Sequence, residues 1–341
     1  MLVAPGRSER PDDFTPGAWH PAGHDGCPFC EGNESKTPPE VEADRPEGGE
    51  ANGPGWTTRT VPNLYPAVAP RESGEAADQR KVAGRAGTES SAFSSPADPL
   101  LASGRGSEPD MFASRPAYGS HEVIVNSPFH LASLAELEEQ SLAAAVAAWR
   151  SRMRAHSDSA YVQLILNQGP DSGASLEHSH AQLGAMEFVP PSVARERERV
   201  GAYRERTAGA SLLGEILREE VRRGERLVAI DEEVALICPW ASRHPYEMRL
   251  VPRRPVARFE EDEGGAAMLG RAIRALTQLF GNPCQLNLWV RTAPRGVEHF
   301  HWHLDLIPRL EPASAFELAT RVDINIVSPE TAAETLRDAI D

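Results

Sequence analysis

The sequence predicts an α+β fold built from two related halves, each a mainly antiparallel sheet with helices packed on it. The order strand, helix, strand and histidine-bearing strand occurs twice, near 121–188 and again near 234–307, and a repeated unit of that kind implies a duplicated architecture. Neither a Gly-x-Gly-x-x-Gly turn nor a Walker loop is present, so a doubly wound nucleotide-binding sheet is not indicated. The chain has 341 residues, 40% of them apolar, enough for two modest domains with buried cores. We place these at 1–192 and 193–341.

Along the first half, residues 1 to 70 are rich in Pro, Gly and acids, with one strand-like piece, Trp56-Thr57-Thr58-Arg59-Thr60-Val61, closed by the turn Asn63-Leu64-Tyr65-Pro66. Residues 71–117 are dominated by Gly, Ser, Ala, Glu and Pro. Such a segment buries too little apolar surface to offset its ordering entropy, and a mobile insertion is expected. His121-Glu122-Val123-Ile124-Val125 reads as a strand. A helix follows, with Ser133 and Glu136 spaced as a capping box and Leu137, Leu142, Val146, Trp149 and Met153 on one face. Tyr161 to Leu166 is a strand, Gly169 to Gly173 a turn, and His178 to Phe188 another strand ended by Pro190-Pro191.

In the second half a charged helical stretch runs from 193 to 223, then strands at 227–230, 234–238 and 246–251. A helix using Leu269, Ile273, Leu276 and Phe280, a strand at 285–290 and a final strand at 299–307 complete the pattern.

A net charge of −15 repels phosphate backbones, which disfavours nucleic acid as a partner, although a small anion needs only a few local cations. No apolar run is long enough to span a bilayer and no signal-peptide core is seen at the start, so a cytoplasmic protein without membrane attachment is expected. Four cysteines in a chain of this length do not make a disulfide scaffold.

The histidines carry the chemistry. In an extended segment His178, His180 and Gln182 share a face, and so do His299, His301, His303 and Asp305, while Phe300, Trp302, Leu304 and Leu306 share the other. A row of imidazoles opposite an apolar face calls for a substrate or a metal, against the plainer reading of a His-rich exposed strand. Cys27-Pro28-Phe29-Cys30 by itself is ambiguous between metal, redox pair and chance. The loop that follows it favours zinc, with His130 and His178 available as further ligands. Cys238 and Cys284 lie among apolar residues and are expected in the core. His244, before Pro245, reads as a surface histidine.

Arg7-x-x-Arg10-Pro11, Cys27-Pro28-Phe29-Cys30, Asn63-Leu64-Tyr65-Pro66, Ser127-Pro128-Phe129-His130, Asn167 to Gly169, Ser175-x-x-His178-x-His180-x-Gln182, His301-Trp302-His303 and Phe316-Glu317 occur in that order. Together they resemble the galactose-1-phosphate uridylyltransferase family of the histidine-triad superfamily, including its ADP-glucose phosphorylase-like branch. The resemblance covers nearly the whole chain apart from 71–117, and implies two histidine-triad-like halves.

It implies a nucleophile at His180 and zinc held by Cys27, Cys30, His130 and His178. It sets Gln182, Ser175, Asn167, Arg7 and Arg10 around the phosphates, Asn63 at the nucleoside end and Glu317 at the sugar hydroxyls. It also implies a homodimer. Glu196, His301 and His303 match part of a second metal site that some relatives carry. Two departures stand out: Ser179 replaces the usual proline between the histidines and is expected to loosen the strand, and Asp323 stands where uridylyltransferases commonly have glutamine.

The activity implied is ping-pong transfer of a nucleotidyl group, from UDP-glucose to a hexose 1-phosphate such as galactose 1-phosphate. Two other readings are phosphorolysis of an ADP-sugar or dinucleoside polyphosphate by inorganic phosphate, and a non-catalytic zinc-stabilised nucleotide-binding protein. A thiol oxidoreductase using Cys27 and Cys30 would require a free thiol pair.

Overall fold

The computed structural model describes residues 2–3, 26–71, 117–281, 283–310 and 315–340. Ten strands form one continuous antiparallel sheet. In chain order they are β2 (Glu42–Asp44), β3 (Thr58–Pro62), β4 (Gly119–Val125), β5 (Tyr161–Gln168), β6 (His180–Met186), β7 (Leu227–Ile230), β8 (Val234–Ile237), β9 (Met248–Pro252), β10 (Leu286–Arg291) and β11 (His303–Pro308). A separate short parallel pair joins β1 (Leu2–Val3) to β12 (Ile324–Asn325).

The spatial order across the large sheet is β2-β3-β4-β6-β5-β10-β11-β9-β8-β7. Read inward from each edge, the two halves have the same order and meet at the β5–β10 pair, where Asn167 faces Asn287 and Leu166 faces Leu288. The duplication expected from the sequence therefore closes into one sheet rather than two. α1 (Glu139–Ala155), between β4 and β5, and α4 (Ala266–Phe280), between β9 and β10, are the matching helices. With α6 (Pro329–Ile340) they cover one face of the sheet.

The alternation along the strands explains why. Leu164 and Leu166, Ala181 and Leu183, Leu286 and Leu288, and Leu304 and Leu306 point toward α1 and α4 and form a single core with Leu142, Trp149, Leu269, Ile273 and Trp302. On the opposite face smaller apolar clusters cover only the ends. One, under the Cys27–Cys30 loop, uses Phe29, Trp56, Val61, Val123 and Val125. The other uses Leu217 of α3 (Leu212–Arg223) with Ala235, Ile237 and Val251. The middle strands β6, β5, β10 and β11 are left to alternate residues that are mainly polar. No helix among the described residues is long and apolar enough to cross a membrane.

Some boundaries differ from expectation. The Ser133–Glu136 capping box forms, but on a 3-10 turn at Leu134–Glu136, and α1 begins only at Glu139. The charged stretch 193–223 is two helices, α2 (Pro191–Arg206) and α3, separated where Ala208 and Gly209 take positive φ. β11 starts at His303, so His299 and His301 precede it; His299 is exposed and does not join the row of imidazoles. Cys238 and Cys284 are buried as expected. His244 is half-buried rather than a surface residue. Residues 72–116 of the expected insertion lie outside the described residues.

A buried polar network ties α1 to β4. Glu122, 4% exposed, accepts two hydrogen bonds from Arg152, at 2.9 Å each, and pairs with His156 Nε2 at 2.8 Å. Removing one partner of a buried pair leaves an uncompensated charge. Arg152→Met is therefore expected to destabilise the protein by about 3–5 kcal/mol, read as a lower urea midpoint at unchanged m value.

Candidate functional site

The Cys27-Pro28-Phe29-Cys30 turn is closed by Cys30 N–H on Cys27 O (3.4 Å) and held by Asn33, whose Nδ2 donates to Cys27 O at 2.9 Å. It brings both sulfurs onto two imidazoles. Cys27 Sγ lies 3.7 Å from His178 Nδ1, and Cys30 Sγ lies 3.6 Å from His178 Nδ1 and 3.4 Å from His130 Nδ1. All four ligand atoms lie within 4.8 Å of one another. A tetrahedral zinc with ordinary Zn–S and Zn–N bonds has S···N edges of about 3.6 Å, so the spacing fits the ion.

The surrounding bonds fit as well. His178 Nε2 lies 2.8 Å from Ser127 O; a carbonyl only accepts, so Nε2 carries the proton and Nδ1 presents a lone pair to the cluster. Burial, reinforced by the Cys27 charge, pushes the Cys30 thiol up to about 11, the opposite of what a redox pair needs. Metal ligation rather than thiol chemistry is what this donor set supports.

His178 stands just before β6 with its ring on the cysteines, and Phe29 packs edge-on against both His178 (6.2 Å) and His180 (5.2 Å). The connection between the two histidines runs through the His178 backbone. His178 O accepts from His180 Nδ1 at 2.7 Å. By the same logic the proton of neutral His180 sits on Nδ1 and the lone pair on Nε2. Burial lowers its pKa, the bond to His178 O opposing, and the neutral form is the one with a nucleophilic nitrogen. The Phe29 ring packs edge-on at 5.2 Å and holds the imidazole plane.

Ser179 does not loosen this entry. Its N–H donates to Leu131 O (2.6 Å), its carbonyl accepts from Asn126 N–H (3.1 Å) and its hydroxyl accepts from Asn126 Nδ2 (3.0 Å). The Asn126 carbonyl in turn accepts from the fully buried Trp149 indole at 2.9 Å. A proline here could make neither the N–H nor the hydroxyl bond; the serine has its own lock.

Gln182 follows His180 on the same face. Its Oε1 lies 3.1 Å from His121 Nε2, and Asn63 Nδ2 approaches the same ring nitrogen at 3.3 Å, so the residue expected at the nucleoside end is joined to the residue beside the nucleophile. One rung beyond the Leu166–Ala181 pair, Asn167 lies opposite His180, and its Oδ1 accepts from Asn287 Nδ2 at 2.8 Å. A Cβ built on Gly184, next along this face, meets nothing within 4 Å, so the face is open there. On β10 the Trp289 indole N–H is buried without a partner among the described residues.

The remaining sequence candidates separate. Ser175 is exposed on the loop before His178. The Glu317 carboxylate, on α5 (Ala315–Thr320), accepts from Ile324 N–H at 3.3 Å. Arg7 and Arg10 lie outside the described residues. Glu196, His301 and His303 do not gather as a second metal site; among the described residues only the Cys27 cluster does. Glu196 instead lies 3.2 Å from Arg291 Nε and 3.9 Å from His303 Nε2, while His301 Nδ1 faces the Ser211 hydroxyl at 3.5 Å. The guanidinium sits where a cation would be needed. His121, Asn126, Asn287 and Arg291 went unnoticed in the sequence, and the one available signal was a polar residue inside an otherwise apolar strand.

Comparison with known proteins was then informative. The family description "Galactose-1-phosphate uridyl transferase, N-terminal domain" matches residues 67–190. An ADP-glucose phosphorylase of Arabidopsis thaliana is 26% identical, over 99% of this chain and 89% of that protein. A galactose-1-phosphate uridylyltransferase of Cryptococcus neoformans is 26% identical over 100% of this chain and 87% of its own length. Among solved structures, an ADP-glucose phosphorylase from Arabidopsis thaliana with bound ADP-glucose shares the fold with a TM-score of 0.73, at 24% identity over 98% of this chain and 94% of that one. A uridylyltransferase structure does so with a TM-score of 0.71, at 23% identity over 95% and 94%.

The Asn126 lock gives a test. Asn126→Ala strands the buried Trp149 N–H and frees Ser179, and should cost about 1–3 kcal/mol for the unsatisfied donor, measured by denaturant titration beside a Trp149→Phe, Asn126→Ala double variant that recovers part of the loss.

Proposed function

We propose, from its similarity to galactose-1-phosphate uridylyltransferases and to an ADP-glucose phosphorylase, that the chain transfers a nucleotidyl group through a covalent nucleotidyl intermediate on His180. The observation that carries the reading is the His180 geometry: a buried neutral imidazole whose Nδ1–H is spent on His178 O, leaving Nε2 as the free nucleophilic nitrogen.

The donor is a nucleoside diphosphate sugar. Nε2 attacks the α-phosphorus, the bond to the bridging oxygen breaks, and sugar 1-phosphate leaves with the electron pair. A second phosphate nucleophile then attacks the same phosphorus and returns the imidazole to its starting state. Charge grows on the non-bridging oxygens during each step, and the Gln182 amide, one same-face position from His180, is placed to donate to them. Asn167, Asn63 and Ser175 belong to the same binding face in this reading, with Arg7 and Arg10 as further phosphate ligands and Glu317 toward the sugar. Zinc bound by Cys27, Cys30, His130 and His178 supplies a fixed anchor for the segment that leads into β6; it performs none of the bond changes.

Two substrate pairs share this chemistry: UDP-glucose with a hexose 1-phosphate, and ADP-glucose with inorganic phosphate. The second is favoured by the whole-length match to an ADP-glucose phosphorylase and by Asp323, which departs from the uridylyltransferase pattern at the sugar end. Incubation with α-labelled ADP-, UDP- or GDP-glucose should leave acid-labile label on the protein with one donor, and discharge by phosphate or by hexose 1-phosphate then names the acceptor.

Two variants separate the roles. His180→Ala should take up no label and turn over no substrate, yet bind zinc at the wild-type ratio; full turnover would sink the assignment. Cys30→Ser should lower bound zinc, measured by elemental analysis, and destabilise the fold.

A further inference from the structure

We propose that His121 is a positioning residue that fixes which end of the Gln182 amide meets the transferring phosphoryl group, an inference that rests on the reading of Gln182 as a phosphate donor. The two ends of a glutamine amide are nearly isosteric, so packing alone does not choose between them. Only one end can serve: Nε2 donates, whereas Oε1 would face the phosphoryl oxygens with like charge.

The choice is made two bonds away. The Ala67 backbone N–H donates to His121 Nδ1 at 3.0 Å, so Nδ1 is the accepting nitrogen of the ring. A neutral imidazole has one accepting and one donating nitrogen; Nε2 therefore carries the proton. That proton points at Gln182, 3.1 Å away, and the atom that receives it must be the oxygen. With Oε1 committed to β4, the Nε2 hydrogens of Gln182 are left for the substrate. Burial holds the His121 pKa below its ordinary value, the Gln182 bond opposing, which keeps the ring in the neutral form this chain of bonds requires.

Asn63 does not compete for the ring proton. Its Oδ1 accepts from Tyr65 N–H at 2.8 Å, so the group it brings to within 3.3 Å of His121 Nε2 is Nδ2, a donor. Gln182 Oε1 is thus the acceptor for the ring proton. Asn63, which also precedes the Ala67 turn, is set by the same short segment. The backbone at 63–67 therefore dictates a side-chain orientation on β6 through one imidazole.

The test is a double-variant cycle on the full chain, read as the rate of His180 labelling in single turnover with whichever α-labelled nucleoside diphosphate glucose labels the wild type. Gln182→Ala should slow labelling by roughly 100-fold, the usual loss for one preorganised oxyanion donor. His121→Phe keeps the ring and loses the proton; it should slow labelling by about tenfold, with the half-saturating donor concentration within about twofold of wild type, as expected for an interaction used in the transition state. On the Gln182→Ala background, His121→Phe should change nothing further. An equal slowing on both backgrounds, or no slowing in the single variant, overturns the proposal while leaving the Gln182 reading intact. Wild-type labelling by Gln182→Ala removes that reading and this proposal with it. Should His121→Phe fail to fold, His121→Asn is read in the same way on both backgrounds.

Discussion

The structure turns on one imidazole, and it is not the one proposed as the nucleophile. His178 spends each of its polar groups on a different task. Nδ1 faces both cysteines, Nε2–H donates to Ser127 O, and the backbone carbonyl receives His180 Nδ1–H. The first ties a loop near the start of the chain to the sheet, the second fixes the tautomer that makes the first available, and the third fixes the tautomer of the next histidine but one. In the proposed reading, substituting His178 would therefore remove a metal ligand and loosen the nucleophile together, so that a metal taking no part in bond making would still be required for the reaction.

The duplication shows what the first half has that the second lacks. His301 Nε2 lies 2.8 Å from Pro252 O, as His178 does from Ser127 O, and His303 Nδ1 faces His301 O at 3.4 Å. The scaffold of a reactive histidine is kept. Its surroundings are not. Asp305 occupies the place of Gln182 and is gripped by Arg249 at 2.7 and 3.3 Å. A carboxylate cannot donate to a phosphoryl oxygen. Burial, with Arg249 adding, pulls His303 down to about 3, and ion pairs enclose its free nitrogen. Where the first half has a donor facing an open patch beside Gly184, the second has charges satisfied by one another. The first copy leaves a donor open on its face; the second closes its face with ion pairs.

Much of this was legible in the sequence because it depends on local periodicity. The alternation in 180–186 and 303–308 placed the apolar faces correctly, and the Cys27, Cys30, His130 and His178 set gathers as the motif order implied. What could not be read depends on groups distant in sequence. That the His178 ring sits on the cysteines is decided by ligand geometry, not by alternation. The expected second metal failed because Arg291, on a strand the motifs do not include, reaches Glu196. Ser179 seemed a weakness only because its partner Asn126 lies far upstream and looks like any loop-edge asparagine. His121 and Asn287 are single polar residues in strands; nothing in their neighbours marks them, and their meaning comes from the residues opposite in the sheet.

For a chain with a net charge of −15, the proposed binding of phosphates raises the question of what offsets the repulsion. Two arginines on the open face are already paired, Arg249 with Asp305 and Arg291 with Glu196. The groups near His180 are instead neutral donors: the amides of Gln182, Asn167 and Asn63 and the Trp289 indole, which has no partner among the described residues. Oriented neutral dipoles in a water-poor site gain most as charge builds on the phosphoryl oxygens, and they need no reorganisation when it does. The acidic surface is then no obstacle to the proposed reaction: beside Arg7 and Arg10, a few fixed hydrogen-bond donors would meet the phosphates, held by the same backbone that positions His180.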